Sequence, residues 1–381
     1  MPPSPAQARL AEFLETAERL KNERAAAGNV LETVEATLPD AWPSLAAVPE
    51  FQTNAALERL GDEVRRRLDR NPREALALAE LATTIADALP RTAYPAVTLA
   101  QIRAMAWKDR ANALRFSGRI PETFEAIAHA EQILEKHVAL GLDRAVVDLV
   151  KALTLLNTGE CEKARAIAIT CGGVFLAHGD LTRALQAGEI EAHVLFEKEQ
   201  YADAHSLFKS LIEVARATGD GDAEARCHHN AGSCAIYLND LKSANIHLSE
   251  AISKFTDLGK AIAGIRAQWG AGIVLIGRGQ TDHGLRYLHT ARDAFMQHEL
   301  FEEAGLCGLS IAEALLSRGD EEEAHEIVRG IARDFCESPV ERRIVDAVVA
   351  LEQTMFDSDA PVEAVRNVFA LIESHSKHAD L

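Results

Sequence analysis

Two stretches have residue types that could bind a metal or a phosphate. Cys227-His228-His229, with Cys234 seven residues on, brings thiols and imidazoles together. A structural zinc site needs two properly spaced ligand pairs, and no second pair is present. Gly270-x-Gly272, followed by Gly277 and Gly279, looks like a phosphate-cradling loop. Such a loop must follow a strand and open a helix, whereas these glycines sit inside a helical pattern. No H-E-x-x-H, Walker or G-x-S-x-G motif occurs, and the carboxylates form no recognisable catalytic pair. These residues predict a protein that is not an enzyme, with no metal and no cofactor.

The helices that carry these residues follow a period. Residues 104 to 131 read as two amphipathic helices broken at Gly118-Arg119-Ile120. The turn position recurs at Gly159, Glu199, Asn239, Gly279, Gly319 and Asp359, 40 or 41 residues apart. Five residues after each later turn comes a small residue: Ala164, Ala204, Ala244, Gly284, Ala324 and Ala364. Four further on, from the second of these, stand Phe208, Leu248, Leu288, Val328 and Val368. A small residue lets two helices approach, and the larger one fills the space beside it. Gly179, Gly219 and Gly259 mark helix ends between hairpins, and Pro339 takes the same slot later.

The hairpin resembles a tetratricopeptide repeat (TPR). Trp107-x2-Arg110-Ala111-x2-Leu114 matches the start of the W-x2-L-G-x2-Y pattern, with the Leu and Tyr slots relaxed. The unit is about six residues longer than the 34-residue type, and is similar to long-period arrays of bacterial regulatory proteins. The resemblance implies an all-α, right-handed superhelical solenoid of about eight helix hairpins over residues 51–375. An N-terminal capping helix and Pro-rich connector are expected over residues 1–50, and a disordered tail over 376–381. Gly28 is expected to split the N-terminal helix, and Trp42 to plug a gap beside the array.

The resemblance further implies that the first helix of each hairpin lines a concave wall. One position off the packing face, the first helices present Lys108, Asn112 and Arg115; then Glu189 and His193; then His229, bordered by Arg226 and Asn230; then Trp269, with Arg266 one turn earlier. Amide side chains can bond an extended backbone and guanidinium groups can grip carboxylates. Lys108 and Asn112 resemble part of a carboxylate clamp, but the next repeat offers Leu149, Leu153 and Leu156, so the clamp is incomplete. His229 would make binding pH-sensitive near neutrality. An alternative is that the stripe packs neighbouring first helices together.

The net charge of −18 disfavours general nucleic-acid binding and anionic membrane surfaces. Six cysteines without a C-x2-C pair fit reduced, packed thiols in a cytoplasmic chain. No apolar run is long enough to span a membrane. The expected function is a regulatory scaffold or adaptor holding a protein or peptide segment in its groove. The alternative is a sensor of a short peptide or small ligand that changes the superhelix and controls a separate effector.

Overall fold

The computed structural model describes residues 5–68, 71–355 and 360–379. Their regular structure is helical throughout. The N-terminal elements are α1 (Pro5–Ala26) and α2 (Val30–Ala36), separated by a 3-10 turn at Ala27–Asn29 where Gly28 breaks the helix. Then follow α3 (Asn54–Arg67), α4 (Pro72–Ala88), α5 (Ala96–Phe116), α6 (Ile120–Glu135), α7 (Gly141–Asn157), α8 (Cys161–Ala177) and α9 (Leu181–Glu197). The chain continues through α10 (Tyr201–Thr218), α11 (Gly221–Tyr237), α12 (Leu241–Asp257), α13 (Ala261–Gly277) and α14 (Thr281–Gln297). The last elements are α15 (Phe301–Arg318), α16 (Glu321–Cys336), α17 (Arg342–Thr354) and α18 (Pro361–Ala379). Residues 376–379, expected in a disordered tail, thus continue α18. No helix among the described residues is long and apolar enough to cross a membrane.

The chain divides into two compact units. The first holds Met1–Leu155 and Lys163–Arg183, and the second Leu156–Glu162 and Ala184–Leu381. In the first unit α3, α4, α5 and α6 pack in succession, and α1 lies on α3. Residues 39–50 are not extended, as the prolines suggest, but coil into 3-10 turns that rest largely on α4. Trp42 is 3% exposed there, and its indole N–H donates to the carbonyls of Val34 and Thr37 at 3.1 and 3.0 Å. It therefore locks the N-terminal elements to one another.

In the second unit α10 to α16 pack each on the next. The periodic turns work by one device. Gly118, Gly159, Glu199, Asn239, Gly279 and Gly319 all have positive φ, from 56 to 94°. Asp359, the last of the series, lies outside the described residues. The left-handed residue ends one helix and lets the next amide bond back, as where Asp240 N donates to Ala235 O at 2.9 Å. At the Asn239 turn a side chain also caps the following helix, with Asp240 accepting from Ser243 N at 3.0 Å, whereas Arg119, Gln200, Gln280 and Asp320 give no such cap. Between hairpins Gly179, Gly219 and Gly259 are likewise left-handed, and Glu299, with φ 59°, continues that series.

The small and large positions fit as a socket and its filling. Ala204, Ala244 and Ala324 are wholly buried, and so are Phe208, Leu248, Leu288 and Val328. Gly272 is one of the sockets. A Cβ added to it would stand 2.6 Å from Leu288, and one added to Gly284 would stand 2.6 Å from the Gly272 carbonyl. The Gly270-x-Gly272 pair is thus a helix-packing surface. Cys171, Cys227, Cys234 and Cys307 are buried as packed thiols, whereas Cys336, at the end of α16, is exposed.

The last hairpin departs from the period. α17 packs on α16, with His325 Nε2 3.0 Å from the Glu352 carbonyl oxygen. That contact follows the pattern of the earlier hairpins; the departure is in α18, which packs more on the first helix α15 than on its own partner α17. Its buried residues are consequently Val365 and Ile372, while Ala364 and Val368 are half-buried.

Candidate binding wall on the first helices

The expected wall residues fall in both units. In the first unit Lys108, Asn112 and Arg115 stand on α5, and all three are half-buried. The Lys108 ammonium pairs with the carboxylate of Asp109. Asp109 is buried and also accepts from Arg65 Nη1 of α3 at 3.2 Å. Gly61 makes room for that carboxylate, since a Cβ there would stand 2.9 Å from Asp109 Oδ2. Lys108 is 12% exposed at its side chain, so its charge is spent on Asp109 rather than held open as in a clamp. Arg115 donates to Asn112 Oδ1 at 3.2 and 3.0 Å and lies 4.4 Å over the Phe116 ring. These three residues bond along or beside their own helix.

In the second unit the predicted residues join successive first helices. Arg226 of α11 donates through two nitrogens to the two carboxylate oxygens of Glu189 on α9, each at 3.1 Å. Arg226 also pairs with Asp222. Asn230 Nδ2 lies 3.4 Å from His193 Nε2. Arg266 of α13 donates to Glu303 of α15 at 2.8 Å, and Trp269 Nε1 donates to Ser310 Oγ at 3.2 Å. Three of these links span 37 residues, one helical turn less than the 40-residue period. Neighbouring first helices are therefore bonded across a one-turn stagger, which is a lateral ladder rather than a row of free groups.

Burial sets the charge state of this ladder. It pushes the Glu189 carboxyl up, and Arg226 opposes it. Burial alone would lower Arg226, but the Glu189 and Asp222 carboxylates outweigh it and the guanidinium stays charged. Burial, aided by Arg266 and His193, pulls His229 down to about 4. His229 is therefore neutral through pH 6 to 8, contrary to the sequence expectation of a switch near neutrality. Its Nδ1 is buried and has no hydrogen-bond partner among the described residues.

The occupant of the wall's far end is not evident from the sequence. Helix α18 crosses it. Arg366 reaches Glu313 of α15 at 2.6 and 2.8 Å. The Phe369 ring lies 6.2 Å from the Trp269 ring, which also meets Phe295 edge-on at 6.2 Å. Further along, Tyr201 and Tyr237 stack at 4.5 Å, and Phe196 meets both edge-on. Burial and then the Glu373 carboxylate push Tyr237 up to about 12. The aromatic residue at 369, outside the repeat's small-and-large series, was the available signal that α18 does something other than continue the array.

Comparison with solved structures places this architecture. The chain superposes on a signal-transduction ATPase with a tetratricopeptide repeat sensor, PH0952 from Pyrococcus horikoshii, with TM-score 0.62 and 12% identity, covering 92% of this chain and 52% of that one. It superposes on a Rap protein complexed with Competence and Sporulation Factor with TM-score 0.53 and 14% identity, covering 93% and 99%. NprR in complex with its cognate peptide NprX gives TM-score 0.50 and 15% identity over 98% and 99%. No protein-family model matches the chain, and no curated protein matches it. At these identities the likeness is one of fold, and the repeat-based resemblance holds at that level: the chain is a TPR-like helical solenoid.

Proposed function

We propose that this protein is a non-enzymatic regulatory scaffold that holds a peptide or protein segment on the first helices of its second unit. The observation that carries the reading is the contact of α18 with that surface. Glu313 and Trp269 already engage a helix through an ion pair and a ring contact, which is the chemistry of helix-in-groove recognition. The polar stretch beside it carries the half-buried Asn230, whose amide can bond a segment's backbone. Two of the fold neighbours were solved with a bound factor or peptide. Lys108, Asn112 and Arg115 form a separate candidate on the first unit.

A peptide-display selection on the full chain tests this. Selected sequences bind the wild type, and Trp269→Ala or Asn230→Ala weakens them at least tenfold. Affinity unchanged by both substitutions, but lost with Asn112→Ala and Arg115→Ala, moves the site to α5. The sensor reading is favoured by the same contact of α18, because a ligand that binds only after α18 moves has the state preference that a two-state response needs.

A further inference from the structure

By the sequence period α18 is a second helix, yet it lies on first-helix surface. Arg366 meets α15, Phe369 meets Trp269 of α13, and the charge of Glu373 acts on Tyr237 at the end of α11. Successive turns of α18 thus meet two first helices, α15 and then α13, and the Glu373 carboxylate on the turn beyond is close enough to raise Tyr237. A segment laid across neighbouring helices in this way is how a groove takes an amphipathic helix.

Its described side chains are less buried than those of α16. Among the described side chains of α18, Val365 and Ile372 are buried. Helix α16 buries Ala324, His325, Val328, Ile331, Ala332 and Phe335. The Arg366 and Glu313 side chains are 64% and 34% exposed, and an ion pair so wet contributes little. The surroundings are apolar: Trp269, Ile273 and Ile276 of α13, Leu316 of α15 and Val368 and Phe369 of α18 all border one hydrophobic cluster, in which Phe369 meets Trp269. An apolar face of this kind does not stay bare in water.

We propose that α18 is a displaceable resident of this wall, and that the partner is an amphipathic helix of the same chemistry. That helix carries a basic residue, an aromatic three positions on and an aliphatic six positions on, as Arg366, Phe369 and Ile372 do. A basic residue suits both Glu313 and a chain of net charge −18. The proposal rests on the binding-wall reading and adds the partner's chemistry and its competitor.

The test uses a fluorescein-labelled peptide of residues 361–379 and the full chain. By anisotropy the peptide binds the Arg366→Glu/Phe369→Ala variant at least tenfold more tightly than the wild type. Adding Glu313→Arg to that variant weakens binding at least fivefold, and a peptide carrying Arg366→Glu regains it. Equal affinity for the wild type and the variant, or binding to neither, overturns displacement. If the variant loses its cooperative thermal transition, hydrogen exchange on the wild type decides. Amides of α18 then exchange at least tenfold faster than those of α16, and equal protection overturns the proposal. A display-selected peptide that needs Trp269 but binds the wild type and the α18 variant alike would keep the wall and remove the displacement. Absence of any Trp269-dependent binding would remove both.

Discussion

Hairpins α11–α12 and α17–α18 hold equivalent places in the 40-residue period, and they pack in different ways. In α12 the small Ala244 and large Leu248 are wholly buried, and Gly232 of α11 is the socket for Leu248. In α18 the equivalent Ala364 and Val368 are half-buried, and burial has moved to Val365 and Ile372. A helix buries whichever stripe its neighbour presents. For α18 that neighbour is α15 more than its own hairpin partner α17. The periodic residues therefore specify a helix in each case, but the packing partner decides which face is used.

The largest expected effects sharpen this contrast. Leu248→Ala removes the filling of a closed socket and costs about 3 kcal/mol, whereas Val368→Ala, at a half-exposed position, costs about 1 kcal/mol or less. Chemical denaturation of both variants checks the pair, and equal losses would contradict the packing difference. Arg226→Ala leaves Glu189 buried without its partner and lowers stability by about 2 kcal/mol, a loss that Glu189→Gln in the same chain largely restores.

A pH series separates the histidine-rich middle of the second unit from its end. His229 and His247 are both held near 4 by burial, His247 also by His228 and His205. Both stay neutral in the fold and take up a proton on unfolding below about pH 6.5. The unfolded chain then binds more protons, so stability falls as pH falls from 6.5 toward 4. Each histidine contributes on the order of 1–2 kcal/mol of that loss by pH 5. Thermal melts from pH 7 to 5 should show the slope, and His247→Gln should flatten it. The smallest effect is at the turns. Glu199 and Glu299 occupy left-handed backbone at φ 59°, so Glu199→Gly or Glu299→Gly should stabilise by up to about 1 kcal/mol in the same assay.

The period made the helices and turns legible, because the left-handed turns and the small-and-large sockets depend on local residue types. Glu299 escaped notice because a glutamate gives no conformational signal. The wall was legible in position only. The stripe rule found Arg226, Asn230 and Arg266, but their bonding to Glu189, His193 and Glu303 depends on the one-turn stagger between first helices, which no single hairpin encodes. Lys108 was misleading for a related reason. Asp109 is its neighbour in sequence, but what buries that carboxylate is the approach of α3 at Gly61. Residues 39–50 were legible only as a Pro-rich connector with Trp42. Those residues seat Trp42 among the N-terminal elements, and the segment found on a first-helix wall is α18.

The central claim is that the second unit's first helices form a binding wall whose far end α18 covers. Hydrogen exchange of the full chain, with and without a display-selected peptide, tests it most directly. The account predicts that the peptide lowers protection in α18 while protection of α13 and α15 holds or rises. Unchanged exchange in α18, with new protection confined to helices other than α11, α13 and α15, would contradict it.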